Sequence, residues 1–315
     1  MHVLGIDVGG TKTVCLLANE EGTVLAEARE AGANLQGVGE LALEKVLYTV
    51  MEAALAGQRV MPSAICLGIA GVDRAEDHQV VQGIMGRIGY KATILIVNDA
   101  LIALQAGIGD APGIVIVSGT GSIAYGRNTR GDAARAGGWG YVLGDEGSGY
   151  WIGRLALRAV VRHADGRGRE TSLTPRLLGH FGLTDAAELI RRVYHEELAP
   201  SAIGALARYV QQARDDGDLV AAGILDQAAE ELVAAAAAVM KRLAMDGESF
   251  SFVLAGGMFH AVPWLCNRLK SLLPSLAANS RTVLLEEHPA LGAVRLALAA
   301  LHGRAKIPAY RPHLI

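Results

Sequence analysis

Apolar and polar positions along the chain follow a period of two in some segments and about 3.6 in others, which predicts strands and helices in turn. Residues 3–26 indicate three strands joined by glycine-containing turns. A helix is predicted over 38–55, where apolar residues recur at helical spacing. Further strands and helices alternate over 64–69, 76–88, 93–97 and 100–106. This order is typical of a largely parallel sheet that helices cover on both faces.

A second cycle of the same kind begins at Gly113. An apolar strand over 113–117 leads into a turn at 118–121, and a return strand follows over 122–126. The remaining predicted elements are helices over 150–163 and 172–245, a strand over 252–255 with a helix after it, a strand over 282–285, and a terminal helix from about 289. Both halves begin with an apolar strand, a Gly-Thr turn and a return strand, which indicates a weak internal duplication.

Composition and charge bound the class of protein. The 315 residues exceed what one compact core usually holds, so two domains are expected. The formal net charge of −3 gives no basic field, and nucleic acid is therefore not an expected partner. The 23 arginines outnumber the 6 lysines without clustering along the sequence, which we interpret as compositional bias rather than a binding patch.

The cysteines and the hydropathy of the chain indicate the cellular compartment in which the protein is expected. Cys15, Cys66 and Cys266 do not lie at metal-ligand spacing, which argues against a disulfide framework, a zinc knuckle or an iron–sulfur site. The chain enters a strand at once, without the regions of a signal peptide. The longest apolar stretch, 232–240, is too short to span a bilayer. A cytoplasmic protein without a membrane partner is expected.

Asp7 ends an apolar strand just before the turn Gly9–Thr11. Glycine suits a turn that must approach a polyphosphate closely, because a Cβ would block the approach, and the exposed N–H groups and the Thr11 hydroxyl can cradle phosphate oxygens. The turn is not a Walker loop, since threonine stands where that loop requires lysine. A carboxylate at a strand end suits Mg²⁺ held through water. The sequence therefore predicts a phosphate-binding hairpin with a magnesium site at Asp7.

Asn98 and Asp99 lie where a predicted strand ends and a helix begins. One interpretation is a helix N-cap, for which Asp is among the preferred residues. The other is a general base at the carboxyl end of a strand, the edge at which α/β proteins bind ligands. A capping Asp can still present its second oxygen to a substrate, so both interpretations stay open.

The segment 137–149 is very rich in glycine and also carries Trp139 and Asp145. A disordered linker would not hold aromatic residues in so short a span. One interpretation is a glycine-rich hairpin with packed aromatics. The other is a sugar site, in which aromatic and backbone groups shape a pocket and Asp145 accepts hydrogen bonds from hydroxyl groups.

Taken together, four motifs resemble the N-acetylglucosamine kinase family, within the BadF/BadG-type branch of the actin/hexokinase superfamily of ATPases. They are GIDVGGTKT at 5–13, NDA at 98–100, SGTGS at 118–122 and the pair GGWG…GDEGS over 137–148. The last pair is the most specific, and the segment AGGM at 255–258 matches the adenosine-side glycines of the superfamily. The resemblance covers nearly the whole chain.

The resemblance implies an α/β fold of two actin-like (ribonuclease H-like) lobes, with ATP and sugar in the cleft between them. The first lobe would comprise residues 1–110 together with a C-terminal helix at 290–315. The second would comprise residues 111–289 and include a helical insertion. The implied reaction is phosphorylation of a small amino sugar at its 6-hydroxyl, with ATP and Mg²⁺, by a homodimer.

The resemblance also assigns roles to individual residues. Asp99 matches the catalytic base that accepts the proton of the sugar 6-hydroxyl. The matched ATP-binding positions are Gly9, Gly10, Thr11, Lys12, Gly119, Thr120, Gly121, Gly256 and Gly257. The matched substrate-binding positions are Asn34, Asp99, Gly121, Ser122, Gly138, Trp139 and Asp145.

Several other functions share some of these features. Repressor/ORF/kinase-type sugar kinases begin alike, but many carry a zinc site of histidines and cysteines, for which this chain has no Cys-x-Cys cluster. Activators of 2-hydroxyacyl-CoA dehydratases hold an iron–sulfur cluster, which the isolated cysteines disfavour. A non-catalytic ATP-binding module is the alternative of a different class, and Asp99 beside two phosphate hairpins argues against it. His260 and His288 are interpreted as surface or capping residues, since phosphoryl transfer needs no histidine.

The identity of the sugar is left open by the sequence. N-acetylglucosamine is the first expectation, and glucosamine and N-acetylmuramic acid are the alternatives, because they differ only at C2 or C3.

Overall fold

A computed structural model describes residues 1–33, 39–72, 74–196 and 198–310, and this part of the chain forms two β-sheets. The strands of the first sheet are β1 (His2–Val8), β2 (Lys12–Asn19), β3 (Val24–Ala31), β4 (Ala64–Ile69) and β5 (Thr93–Asn98). The strands of the second sheet are β6 (Gly113–Ser118), β7 (Ser122–Arg127), β8 (Asp132–Gly137), β9 (Phe250–Ala255), β10 (Ser280–Leu284) and β11 (Ala309–Tyr310).

The two sheets repeat one topology, which confirms the predicted internal duplication. The strand orders are β3-β2-β1-β4-β5 and β10-β9-β6-β7-β8-β11. In the first sheet, β1 pairs antiparallel with β2 and parallel with β4. In the second, β6 pairs antiparallel with β7 and parallel with β9. Each half is thus a three-strand meander followed by two parallel strands on its other side.

Helices surround and separate the sheets. They are α1 (Glu40–Leu55), α2 (Ala75–Ile88), α3 (Asp99–Ile108), α4 (Gly149–Ala164), α5 (Leu173–Phe181), α6 (Pro200–Gly204), α7 (Ala207–Asp215), α8 (Leu219–Arg242), α9 (Met258–Ala261), α10 (Pro263–Leu272) and α11 (Pro289–Leu301). Short 3₁₀ turns lie at Ala186–Glu188 and Leu273–Ser275, and a π turn lies at Arg191–His195. Among the described residues, no helix combines the length and the apolar character needed to cross a bilayer.

The buried apolar residues that the structure describes form three hydrophobic clusters, one on each outer face of the two sheets and one between them. Leu43 and Leu47 of α1 and Val81 of α2 pack on the outer face of the first sheet. Helices α3 and α11 lie between the sheets, where one cluster joins their alanines and leucines to residues of both sheets, such as Val14 and Val115. The outer face of the second sheet is covered by α4, α5, α7, α8 and α10. The molecule is therefore an α/β structure with helices on both faces of both sheets, as the alternating pattern predicts.

Two features of the fold differ from the sequence prediction. Strand β8 was not predicted, because Asp132–Gly137 is rich in alanine and lacks the β-branched residues that favour strands. The second feature concerns the proposed lobes, whose boundaries stay a prediction. Helix α11 packs against the first sheet, but β11, in the range assigned to the first lobe, pairs with β8 of the second sheet.

The register of the parallel strands places two acidic residues at one edge of the first sheet. Asp7 of β1 aligns with Gly68 of β4, which in turn aligns with Val97 of β5. Since β1, β4 and β5 run in the same direction, all three end at this edge, with roughly 10 Å between the β1 and β5 backbones. Asp7 and Asp99 therefore meet at the carboxyl end of the sheet, where open α/β sheets bind ligands.

Candidate active site

Two glycine-threonine turns, one from each sheet, face each other. We call the β1–β2 turn, Gly9–Thr11, the first hairpin and the β6–β7 turn, Gly119–Gly121, the second hairpin. The hydroxyl oxygens of Thr11 and Thr120 are 2.9 Å apart and share a hydrogen bond. Backbone hydrogen bonds close both turns, from Gly9 N to the Lys12 oxygen at 3.0 Å and from Gly119 N to the Gly121 oxygen at 2.9 Å. Both hairpins thus open onto one cleft between the sheets.

The glycines of these hairpins fall into two groups. At Gly10 and Gly119, an added Cβ would find no heavy atom within 4 Å, and the backbone is not left-handed. Gly257 is open in the same way. The folded protein therefore gives no steric reason for glycine at these three positions. A ligand that approaches the backbone closely provides one.

Other glycines serve the fold itself. A Cβ on Gly121 would lie 2.7 Å from Oδ2 of Asp145. At Gly256, φ is +107° and a Cβ would lie 2.2 Å from the backbone oxygen of Ser118, because β6 and β9 run side by side. Gly9 is intermediate, with the Lys12 oxygen 3.2 Å from an added Cβ. Of the predicted nucleotide-side pair, the fold thus requires glycine at Gly256, whereas Gly257 has no steric reason within the fold to be glycine.

Replacing Gly256 by alanine is expected to lower the free energy of unfolding by about 1–3 kcal/mol, because the new methyl group collides with backbone in a left-handed conformation. Urea unfolding measures this change. Gly257→Ala is the matched control, since φ there is −65° and the space is open. Equal stability of the two variants would show that the close approach of Ser118 does not require glycine at position 256.

Asp7 lies at the edge of the first sheet beside the first hairpin, with its side chain 14% exposed. Burial and the nearby charge of Asp99 raise the pKa of Asp7 to about 7, and Lys12 opposes this shift. A cation near these two carboxylates would favour their ionised forms. No group of three or more His, Cys, Asp or Glu in the described residues could hold a metal ion. Mg²⁺ fits nevertheless, because it commonly uses one or two carboxylates and completes its shell with water and phosphate.

The capping role and the predicted base role fall on different residues. Asn98 is the N-cap of α3, and its Oδ1 accepts a hydrogen bond from Ala100 N at 2.7 Å. Asp99 is the first residue of α3, and its Oδ1 lies 2.9 Å from the same N–H. Helix capping therefore does not by itself account for a carboxylate at position 99.

His288 caps α11, as the sequence predicts for a histidine near a turn. Its Nδ1 accepts a hydrogen bond from Ala290 N at 3.2 Å and lies 3.9 Å from Oδ2 of Asp7. Burial, aided by the charge of Lys12, lowers the pKa of His288 to about 4. The ring is therefore neutral near pH 7, and the accepting Nδ1 leaves the proton on Nε2.

The glycine-rich segment 137–149 packs against the second hairpin. Ser122 Oγ donates to the Glu146 oxygen at 2.7 Å, and Ser118 Oγ donates to the Gly147 oxygen at 2.9 Å. The backbone of Gly138 donates to the Ser122 oxygen at 3.0 Å. These hydrogen bonds hold the segment against the second hairpin, so that it forms an ordered wall of the cleft and is not a linker.

Asp145 is buried in this wall with a left-handed backbone, at φ +60°. Its carboxylate accepts hydrogen bonds from the backbone N–H groups of Ser122 and Gly140. Burial raises the pKa of Asp145, and these hydrogen bonds oppose the shift. The side chain therefore has a structural task at the second hairpin, and its predicted contact with sugar stays a prediction.

Trp139 lies at the other end of the segment and is 56% exposed, with the Arg135 guanidinium 4.9 Å from its ring centre. It lines a cavity of about 290 Å³ together with Ser122, Glu146 and Glu231. Glu231 comes from the long alanine-rich helix α8, and no sequence motif pointed to it. The lining of this cavity does not include Asp99 or Asp145. Asn34, the remaining predicted substrate contact, lies outside the described residues.

The repeated topology, with hairpins that face each other across a cleft, defines an actin-like two-lobed fold, as the resemblance implied. The sequence pattern of the BadF/BadG/BcrA/BcrD ATPase family matches residues 4–297, and the chain belongs to this family.

Three similar proteins carry related names. An N-acetylmuramic acid/N-acetylglucosamine kinase of Clostridium acetobutylicum is 36% identical over 94% of this chain and 98% of its own length. An N-acetyl-D-glucosamine kinase of Dictyostelium discoideum is 33% identical over 94% of this chain and 97% of its own. A solved structure from Chromobacterium violaceum, assigned as an N-acetylglucosamine kinase, matches with a TM-score of 0.78 and 29% identity, over 94% of this chain and 98% of that one.

Proposed function

We propose that this protein is an ATP-dependent sugar kinase that phosphorylates the 6-hydroxyl of an amino sugar, N-acetylglucosamine in the first place. The observation that carries the proposal is the pair of facing hairpins, whose glycines at Gly10 and Gly119 leave open space that the fold does not need. The two curated relatives, each similar over 94% of this chain, support the choice of an amino sugar as acceptor.

The hairpins would hold the phosphates of ATP. The hydroxyls of Thr11 and Thr120, with the exposed N–H groups of the turns, offer donors to phosphate oxygens, and Lys12 adds a positive charge. Helix α4 begins beside the second hairpin, where its N-terminal dipole favours anions. Gly257, and Gly256 through its backbone, would border the nucleotide on the side of β9.

Asp99 would accept the proton of the sugar hydroxyl while the hairpins hold the phosphate in line with that oxygen. Asp7 would hold Mg²⁺ through water, and Mg²⁺ when bound neutralises charge on the phosphates. Asn34, Gly121, Ser122, Gly138, Trp139 and Asp145 would border the sugar. Closure of the two lobes would exclude water from the reacting groups. A homodimer and a cytoplasmic location belong to the same proposal.

N-acetylmuramic acid is the second candidate substrate. The Clostridium relative is named for both sugars. Leu143, which lines the cavity of Trp139, and its chain neighbour Val142 are more than 70% exposed and offer apolar surface for an additional substituent on the sugar ring.

ADP release measured with each sugar tests the proposal. We expect turnover with N-acetylglucosamine, none above background with glucose or N-acetylmannosamine, and none without sugar. A clear preference for unacetylated glucosamine would overturn the first choice of substrate. Absence of ADP release with every amino sugar would leave the non-catalytic ATP-binding module as the function.

A further inference from the structure

Four arginines surround a groove at the far end of α4. Arg158, Arg162, Arg167 and Arg169 line a cavity of about 400 Å³, whose floor is formed by apolar residues such as Leu155 and Ile224. None of the described residues that line it is acidic. The groove thus combines an apolar floor with a concentration of positive charge in a chain whose net charge is −3.

Two of these arginines fold the loop that follows α4. Arg167 pairs with Asp165, and Arg162 Nη2 donates to the Arg167 backbone oxygen at 3.1 Å. The other two have no such task. Within the described part of the chain, Arg158 and Arg169 form neither an ion pair nor a side-chain hydrogen bond, and both are exposed. Unpaired guanidinium groups that share one groove repel each other, and an anion would remove that repulsion.

We propose that this arginine groove binds the phosphate group of a small organic phosphate monoester. A guanidinium group offers two parallel N–H donors that match phosphate oxygens, and several of them around one site are typical of phosphate recognition. The apolar floor suits the carbon skeleton of the ligand. The volume lies within the range of small-molecule sites.

The groove is separate from the ATP cleft but joined to it by one helix. Helix α4 starts at the second hairpin, where Gly149 N donates to the Gly119 oxygen at 2.8 Å. Arg158 and Arg162 lie near its other end, and at 1.5 Å per residue they are roughly 14–20 Å further along the helix axis. A ligand in the groove would therefore contact the same rigid element that supports the second hairpin.

Isothermal titration with glucose 6-phosphate and with inorganic phosphate tests the proposal. The groove variant is Arg158→Gln/Arg169→Gln, which leaves the two loop-forming arginines in place. The control variant is Arg268→Gln/Arg304→Gln, which removes the same charge from exposed positions that do not line the groove. None of these four residues belongs to the ATP cleft, so any binding there is common to all three proteins.

We expect the groove variant to lose one binding component for glucose 6-phosphate, or to weaken it at least about tenfold, since charge-assisted hydrogen bonds are lost. The control variant should bind like the wild type, and added salt should weaken this component. Equal binding by the groove and control variants would overturn the site. Equal affinity for inorganic phosphate and glucose 6-phosphate would overturn the assignment of an organic ligand. If the double variant melts early, Arg169→Gln alone, in the loop, serves as the test.

Discussion

Replacing Asp99 by asparagine is expected to lower the turnover of sugar phosphorylation by roughly 10²–10⁴, the usual contribution of a general base. The amide keeps the size of the side chain and can hydrogen-bond the sugar hydroxyl, but it cannot accept its proton. Helix α3 should still form, because its cap is Asn98. The measurements are ADP release for turnover and calorimetry for sugar binding, which should stay close to that of the wild type.

The control for this variant is Asp246→Asn, which removes one negative charge from an exposed turn between α8 and β9. It should leave turnover and sugar binding unchanged. Near-native turnover of Asp99→Asn would show that another group takes the proton. Parallel loss of turnover, sugar binding and melting temperature would instead assign Asp99 a structural role at the start of α3.

Most of the fold could be predicted because its strands are buried and strongly apolar. In β4 and β9 every residue is buried, and such runs stand out from the amphipathic helices around them. Strand β8 could not be predicted in this way, since its residues have little strand preference of their own and form a strand because they pair with β7. Tertiary pairing there overrides a weak local preference.

The parts of the candidate site that could be predicted are those that turn residues indicate. The Gly-Thr turns indicated two hairpins, but only the structure shows that Thr11 and Thr120 touch across the cleft. A sequence likewise cannot distinguish a glycine that faces open space from one that a neighbouring backbone requires. Gly119 is of the first kind and Gly256 of the second. Asp145 looked like a sugar ligand, and the structure adds its hydrogen bonds to buried backbone.

The arginines show a different limit of sequence analysis. The arginine content was interpreted as compositional bias and no binding patch was predicted, although five arginines fall within residues 154–169. The structure gathers four of them, because residues four apart on α4 share one face and the loop after the helix folds back toward it. Closeness in sequence alone did not show that these side chains share one groove, because that depends on the path of the loop after the helix.

Replacing Gly10 by alanine is expected to lower kcat/KM for ATP roughly 10²-fold while the free energy of unfolding stays unchanged. The new methyl group has no protein atom within 4 Å, so the fold accommodates it. In the complex it would occupy space above the first hairpin and displace the phosphates, and a displacement of about 1 Å is enough for such a loss. Steady-state kinetics with varied ATP and urea unfolding measure the two quantities.

Gly86→Ala is the matched control, because Gly86 in α2 is also open to solvent but lies in a helix away from the hairpins. It should raise the free energy of unfolding by up to about 1 kcal/mol, since alanine favours helix over glycine, and leave kcat/KM unchanged. Wild-type kcat/KM in Gly10→Ala would mean that the phosphates do not approach the first hairpin. A fall in its unfolding free energy would mean that glycine is required there by the fold, and the open space would then carry no argument for a nucleotide.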